Sequence, residues 1–95
     1  MSTSNTPETA GKGFVFVEDG QDGIKVRFFF SRAGAEAALT EAGLEYQTGG
    51  QPLFTEEQMA EHVRLMREAE ERQEHYVVEC LSIGALWIDV VDLEA

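Results

Sequence analysis

Cysteine is nearly missing from this sequence: Cys80 is the only one among 95 residues. One thiol excludes an internal disulfide and suits a reducing cytosol. Cations are also scarce, with seven Lys and Arg against 18 Asp and Glu, a net charge of -11. Binding nucleic acid directly needs Lys and Arg to neutralise phosphates, and anionic membrane surfaces attract the same residues. The charge argues against both. No apolar stretch is long enough, or free enough of charge, to span a bilayer. The first residues lack a basic region followed by an apolar one, so no signal peptide is expected. The phosphate-loop, dinucleotide and nucleophile-elbow patterns (G-x-x-x-x-G-K-[ST], G-x-G-x-x-G and G-x-S-x-G) do not occur.

What remains is an ordinary globular composition, 43% apolar, in a chain the length of one domain with a modest core. Met1 to Lys12 is polar and reads as a mobile arm. The single domain is expected over 13–95. Gly13 to Glu18 reads as a strand, Asp19 to Gly23 as a loop of about five residues, and Ile24 to Phe30 as the second strand of a hairpin. Ile24, Val26, Phe28 and Phe30 face one way, Lys25, Arg27 and Phe29 the other. The Lys25/Arg27 face is expected to be the outer one, with Phe29 an exposed contact or covered by the arm. The Asp19–Gly23 loop fails as a calcium loop, because its fifth and sixth positions are Gly23 and Ile24.

Ser31 can cap a helix over about Arg32 to Ala42, with Ala35, Ala38, Leu39 and Ala42 inward and Gly43 at the left-handed stop. Leu44 to Gln47 reads as a short strand, and Thr48 to Pro52 as a loop. A second helix is expected from Glu56 to His75. Thr55 and Gln58 form a capping box, Phe54 and Met59 can close a staple, and Glu56 and Glu57 suit the positive end of the dipole. Met59, His62, Val63, Met66, Ala69 and Gln73 share its apolar side. Tyr76 to Leu93 is rich in β-branched residues and reads as strands Tyr76–Ser82 and Leu86–Val91 with a turn near Gly84. One long buried helix is the rival reading. The expected fold class is α+β: two layers, a mostly antiparallel sheet of about four strands in the order ββα(β)αββ, and both helices on one face. Edge strands remain available for homodimerisation.

The charge is uneven. Residues 1–54 hold seven acids and four bases; residues 55–95 hold eleven and three. The second helix places Glu57, Glu61, Glu68 and Glu71 along one side over roughly 21 Å at 1.5 Å per residue, and Glu74 extends the row. Arg64, Arg67 and Arg72 dilute it, with Glu61 in reach of Arg64 at i,i+3 and Glu68 to Arg72 in the favourable i,i+4 order. These five glutamates are the candidate partner-binding residues. A solvated helix face is the plain reading of such a row. The functional one is mimicry of nucleic-acid charge, directed at a basic protein or ribonucleoprotein complex.

Other chemistry has little support. His62 lies on the apolar helix face and reads as a core or interface histidine. His75 falls about 220° away on the same helix, so the two cannot share a metal. Cys80 sits among apolar strand residues and reads as an inert core thiol. A small enzyme would need His62 or His75 beside Cys80, and ranks lowest; no catalytic residue, metal ligand or cofactor is expected.

A short, strongly acidic α+β chain with one cysteine and no catalytic motif resembles the small phage-encoded anti-defence proteins, especially anti-CRISPR proteins. That group has no common motif, so no functional residue carries over. The resemblance implies a non-enzymatic inhibitor in the host bacterial cytoplasm. It would bind a CRISPR-Cas type complex and block nucleic-acid binding or nuclease recruitment. The alternative is an acidic adaptor or immunity-type module whose partner has nothing to do with nucleic acid.

Overall fold

Alternating apolar residues build the central sheet. The structure, a computed structural model, describes residues 11–93. Its order is β1 (Lys12–Gly20), β2 (Gly23–Phe29), α1 (Arg32–Glu45), β3 (Gln47–Thr48), β4 (Gln51–Pro52), α2 (Glu56–Glu71), β5 (Val78–Glu79) and β6 (Gly84–Asp92). Four strands form one antiparallel sheet in the order β2-β1-β6-β5. Phe16, Val78, Cys80 and Leu86 point from it towards Ala38, Leu39, Met59 and Met66 of the helices, and these eight make the core. Both helices therefore cover the same face. The expected α+β class, with a four-stranded antiparallel sheet and two helices, is the observed one.

Several boundaries differ, each for a local reason. β1 begins at Lys12, inside the stretch expected as an arm, because Lys12 pairs with Asp92 across the sheet; 1–10 lie outside the described residues. The first hairpin turns on Gln21 and Asp22 alone, since Gly20 pairs directly with Gly23. Gly23 takes φ 114° there, a value glycine adopts without a Cβ clash. Gly43 does not stop α1. It is buried inside the helix, where a methyl group would lie 2.5 Å from Met59 Cε. Its missing side chain admits α2, and α1 runs on to a cap at Tyr46. The Tyr46 hydroxyl donates to Glu18 Oε2 at 3.2 Å and fastens this end of the helix to β1.

Leu44 and Glu45 are thus helical, and the short middle strand is Gln47–Thr48. It pairs with Gln51–Pro52 as a separate two-stranded ribbon. α2 ends at Glu71 with Arg72 as its cap, and Gln73 takes a left-handed φ of 60°. Glu74 and His75 therefore lie beyond the helix. Only Val78 and Glu79 of the expected Tyr76–Ser82 strand pair with β6. The turn that follows is Leu81–Ile83, closed by the Ile83 amide donating to Cys80 O at 3.0 Å.

The largest correction concerns the faces of β2. The alternation is as expected, but the sides are exchanged. Arg27 lies opposite Phe16, and Lys25 opposite Glu18, on the helix side. There Lys25 and Arg27 line a groove with Glu41 and Glu45 of α1. The Arg27 guanidinium stacks 5.0 Å over the Phe29 ring, and Phe29 packs on the core. Ile24, Val26 and Phe28 point away from the helices into solvent. Both cations stay exposed in that groove, and no salt bridge joins them to the α1 carboxylates among the described residues.

Candidate functional site

The acidic row starts from a well-made helix end. Thr55 Oγ1 accepts from the Gln58 amide at 3.1 Å, and Gln58 Oε1 accepts from the Thr55 amide at 2.8 Å. This box fixes the start of α2 and hence the phase of its faces. Met59, Met66 and Ala69 are buried, as the periodicity requires, and Glu57, Glu61 and Glu71 are exposed.

The five predicted carboxylates have different company. Arg64 forks between Glu61 and Glu68; its Nε donates to Glu61 Oε1 at 3.0 Å. That hydrogen bond holds the Glu61 carboxyl below the usual carboxylate range. Arg72 pairs with Glu74 at 3.1 Å rather than with Glu68, because as the cap it has left helical geometry. Glu57 and Glu71 have no cation within salt-bridge distance among the described residues. The structure thus places Glu57, Glu61, Glu68 and Glu71 on the helix, and Glu74 in the turn after it. Five carboxylates against two guanidiniums leave about three net charges on this surface.

Behind the row, other ion pairs join the helices. Arg67 Nε donates to Glu36 Oε2 at 2.8 Å, and Arg32 Nη2 donates to Glu70 Oε2 at 2.6 Å. With Gly43 against Met59, these contacts run α1 and α2 antiparallel. Glu36 is almost fully buried, so its charge is tolerated only because both oxygens are bonded. Sequence spacing gave no sign of these pairs, which join residues 31 and 38 positions apart.

One feature of the row opposes stability. The last turn of α2 contains no basic residue, while Glu68, Glu70 and Glu71 sit at the negative end of its dipole. Arg64 and Arg32 compensate the first two. Glu71 has no such compensation.

The histidines and the cysteine are separately engaged. His62 Nδ1 lies 2.9 Å from the Tyr76 hydroxyl, and its ring meets Phe54 edge-on at 5.3 Å. His75 Nε2 lies 3.2 Å from Asp89 Oδ1, off the helix on which it was expected. Cys80 is fully buried, and burial pushes its thiol up to about 11, so it is protonated at neutral pH. Among the described residues no group of three or more His, Cys, Asp or Glu is placed to hold a metal, and no helix is long and apolar enough to cross a membrane.

Compared with known proteins, the chain matches no family model, no curated protein and no solved structure. The site's own geometry is therefore what a functional reading rests on.

Proposed function

We propose that the protein works by binding rather than by catalysis, as a stoichiometric inhibitor. It would lay the outer face of α2 and the following turn on a basic surface of a nucleic-acid-processing defence complex of the CRISPR-Cas type. Glu57 and Glu71 make the contact first, since neither is held by a cation; Glu61, Glu68 and Glu74 join by exchanging their arginines for the partner's. The observation that carries this reading is Glu71, an acid at the negative end of a helix with no cation within salt-bridge distance among the described residues. A charge that opposes the fold fits a role outside the fold.

Magnitude limits how far the mimicry goes. Glu57, Glu61, Glu68 and Glu71 fall about 7 Å apart on average at 1.5 Å per residue, whereas one DNA strand carries a phosphate about every 3.4 Å. The row is sparser than a single strand, and Arg64 thins it further. Such a surface steers and orients a basic partner. That dilution favours a second reading, an acidic adaptor whose basic partner handles no nucleic acid.

Capture of partners from bacterial lysate at about 0.05 M and about 0.5 M salt tests the proposal, the higher value lying well past screening of surface charge. The expected catch is a nucleic-acid-guided complex that releases at high salt and is displaced by added DNA or RNA. Glu57→Lys with Glu71→Lys should abolish capture. A partner displaced by salt but not by nucleic acid supports the adaptor. Capture unaffected by the two reversals overturns the use of this face.

A further inference from the structure

The face of the sheet turned away from the helices is built from side chains that normally lie inside proteins. Ile24 is 65% exposed, Val26 59% and Phe28 41%, and Phe30 and Leu93 are 37% exposed. By the strand registers, half-buried Val15, Trp87 and Val91 continue the same surface across β1 and β6, around Val17, which its neighbours already bury. The patch is ordered. Gly13 leaves space for the Phe28 ring, whose edge would lie 2.6 Å from a methyl group there. Phe28 and Phe30 meet edge-on at 4.9 Å.

We propose that this face is the interface of a twofold dimer, in which two copies of the chain stack their open sheets with the four helices outermost. Three features of the molecule select a second copy as the occupant. The first is charge. Lys12, Lys25 and Arg27 all lie on the helix side of their strands. On the open face Asp19 and Glu79 flank Ala85 near the hairpin end, and Asp89 is engaged by His75 and the Trp87 indole. No Lys or Arg of the four strands lies here for an acidic partner to meet, and three scattered acids make no row for a basic one. A chain of net charge -11 repels its own copy, and this orientation sets both acidic helix layers as far apart as the fold permits.

The second is the chain beyond the described residues. Residues 1–10 hold no aromatic and only Met1 as a large apolar side chain, and 94–95 are Glu-Ala. Neither segment has the composition to cover the patch.

The third is area. Three strands about 4.8 Å apart and seven residues long at about 3.4 Å span roughly 14 by 24 Å. Two such faces, roughened by their side chains, remove on the order of 1,000 Å² from water, the lower bound for a specific interface. Sheets stacked in this way lie about 10 Å apart with strands near 30°, and a twofold axis brings the same patch against itself. The dimer does not rest on the proposed inhibitor function.

Sedimentation of the full chain from about 1 to 200 μM, at low and raised salt, is the first test. A mass that doubles with concentration, and doubles more readily when salt screens the like charges, is expected. A monomer throughout overturns the proposal. Trp87, the only tryptophan, separates face from edge without a substitution, because it lies on β6, two strands in from the free edge of β2. Its emission should shift to the blue as the dimer forms; a dimer that leaves it unchanged pairs through the β2 edge and overturns the face. Val26→Lys on β2 and Val91→Lys on β6 should each weaken the dimer tenfold or more, with circular dichroism reporting a folded monomer. Lys25→Glu, on the other face of β2, should leave it intact. Loss in Val26→Lys alone again points to the edge, and loss in neither overturns the proposal.

Discussion

The two faces of one sheet follow opposite rules. On the helix side the charges are matched: Arg67 to Glu36, Arg32 to Glu70, Lys12 to Asp92. Most apolar groups there, such as Leu86 and Phe16, are sealed, with Val90 an exception near the end of β6. On the open side charges are few and apolar groups lie bare. β2 carries the contrast within seven residues. Its cations are accommodated beside α1, and its Ile24 and Val26 are the most exposed large side chains of the sheet. Apolar character alone does not decide which side of an edge strand is inside. Here the side towards α1 carries Lys25 and Arg27, exposed in a groove that Glu41 and Glu45 also line.

Truncating one apolar residue on each face should separate them most. Leu86→Ala empties a fully buried position and should destabilise by about 2–5 kcal/mol. Ile24→Ala should cost under about 0.5 kcal/mol in the monomer, as exposed positions do. Urea unfolding at low protein concentration measures both. A large loss at Ile24 under those conditions would mean that the open face is covered within the monomer.

The next contrast uses glycine. A methyl group at Gly43 would lie 2.5 Å from buried Met59, and one at Gly13 2.6 Å from half-exposed Phe28. The overlaps match; the freedom to yield does not. At Gly43 alanine gains about 1 kcal/mol of helix propensity, but overpacking costs about 1–3 kcal/mol. Gly43→Ala should therefore be destabilising by about 1 kcal/mol. At Gly13 the ring can swing into solvent, so Gly13→Ala should cost less. Thermal melts would rank them, and a reversed order would break the comparison.

How much of this was legible beforehand depends on range. Thr55 and Gln58 announced the start of α2 because both halves of a capping box lie within one turn. The buried set Met59, Met66 and Ala69 followed from helical period, and the α+β class from element order. What failed needed a partner distant in sequence. Gly43 carries the signature of a helix stop, and its role is set by Met59 of the next helix. Lys25 and Arg27 are exposed as their charge suggests, yet they lie on the side of β2 that faces α1, which only the folded arrangement shows. The candidate row and its weakening by Arg64 were both visible as spacing, and the structure pairs Arg64 with Glu61 and Glu68. Glu74 left the helix only because Arg72 ends it.

Neighbouring glutamates on α2 offer a smaller contrast. Glu70 is bonded by Arg32, so Glu70→Gln should destabilise by about 1 kcal/mol. Glu71 faces the negative end of the dipole unpaired, so Glu71→Gln should stabilise by about 0.3–1 kcal/mol. Opposite signs at adjacent positions, read from urea midpoints, would support a charge held for binding. A loss of stability at both would place Glu71 in the service of the fold and remove the observation on which the inhibitor reading rests.

The smallest effect is a pH dependence at the seam between α2 and the chain leading into β5. Burial lowers the His62 pKa from its ordinary 6.5, and neighbouring Glu61 only partly opposes this. Nδ1 of the ring hydrogen-bonds with the Tyr76 hydroxyl at 2.9 Å. The unfolded chain has no such burial, so as pH falls it takes up the proton before the folded chain does. Stability from the neutral ring is therefore fully present above about pH 6.5 and is lost as pH falls through the lower, folded pKa. Carboxylates titrate in the same direction, so the wild type alone cannot isolate the histidine. His62→Gln cannot titrate there and should lose less stability between pH 7.5 and 5.0 than the wild type. An equal loss in both would mean that the His62 ring is as wet in the folded chain as in the unfolded one, and that the α2 seam lies open beside the sealed core.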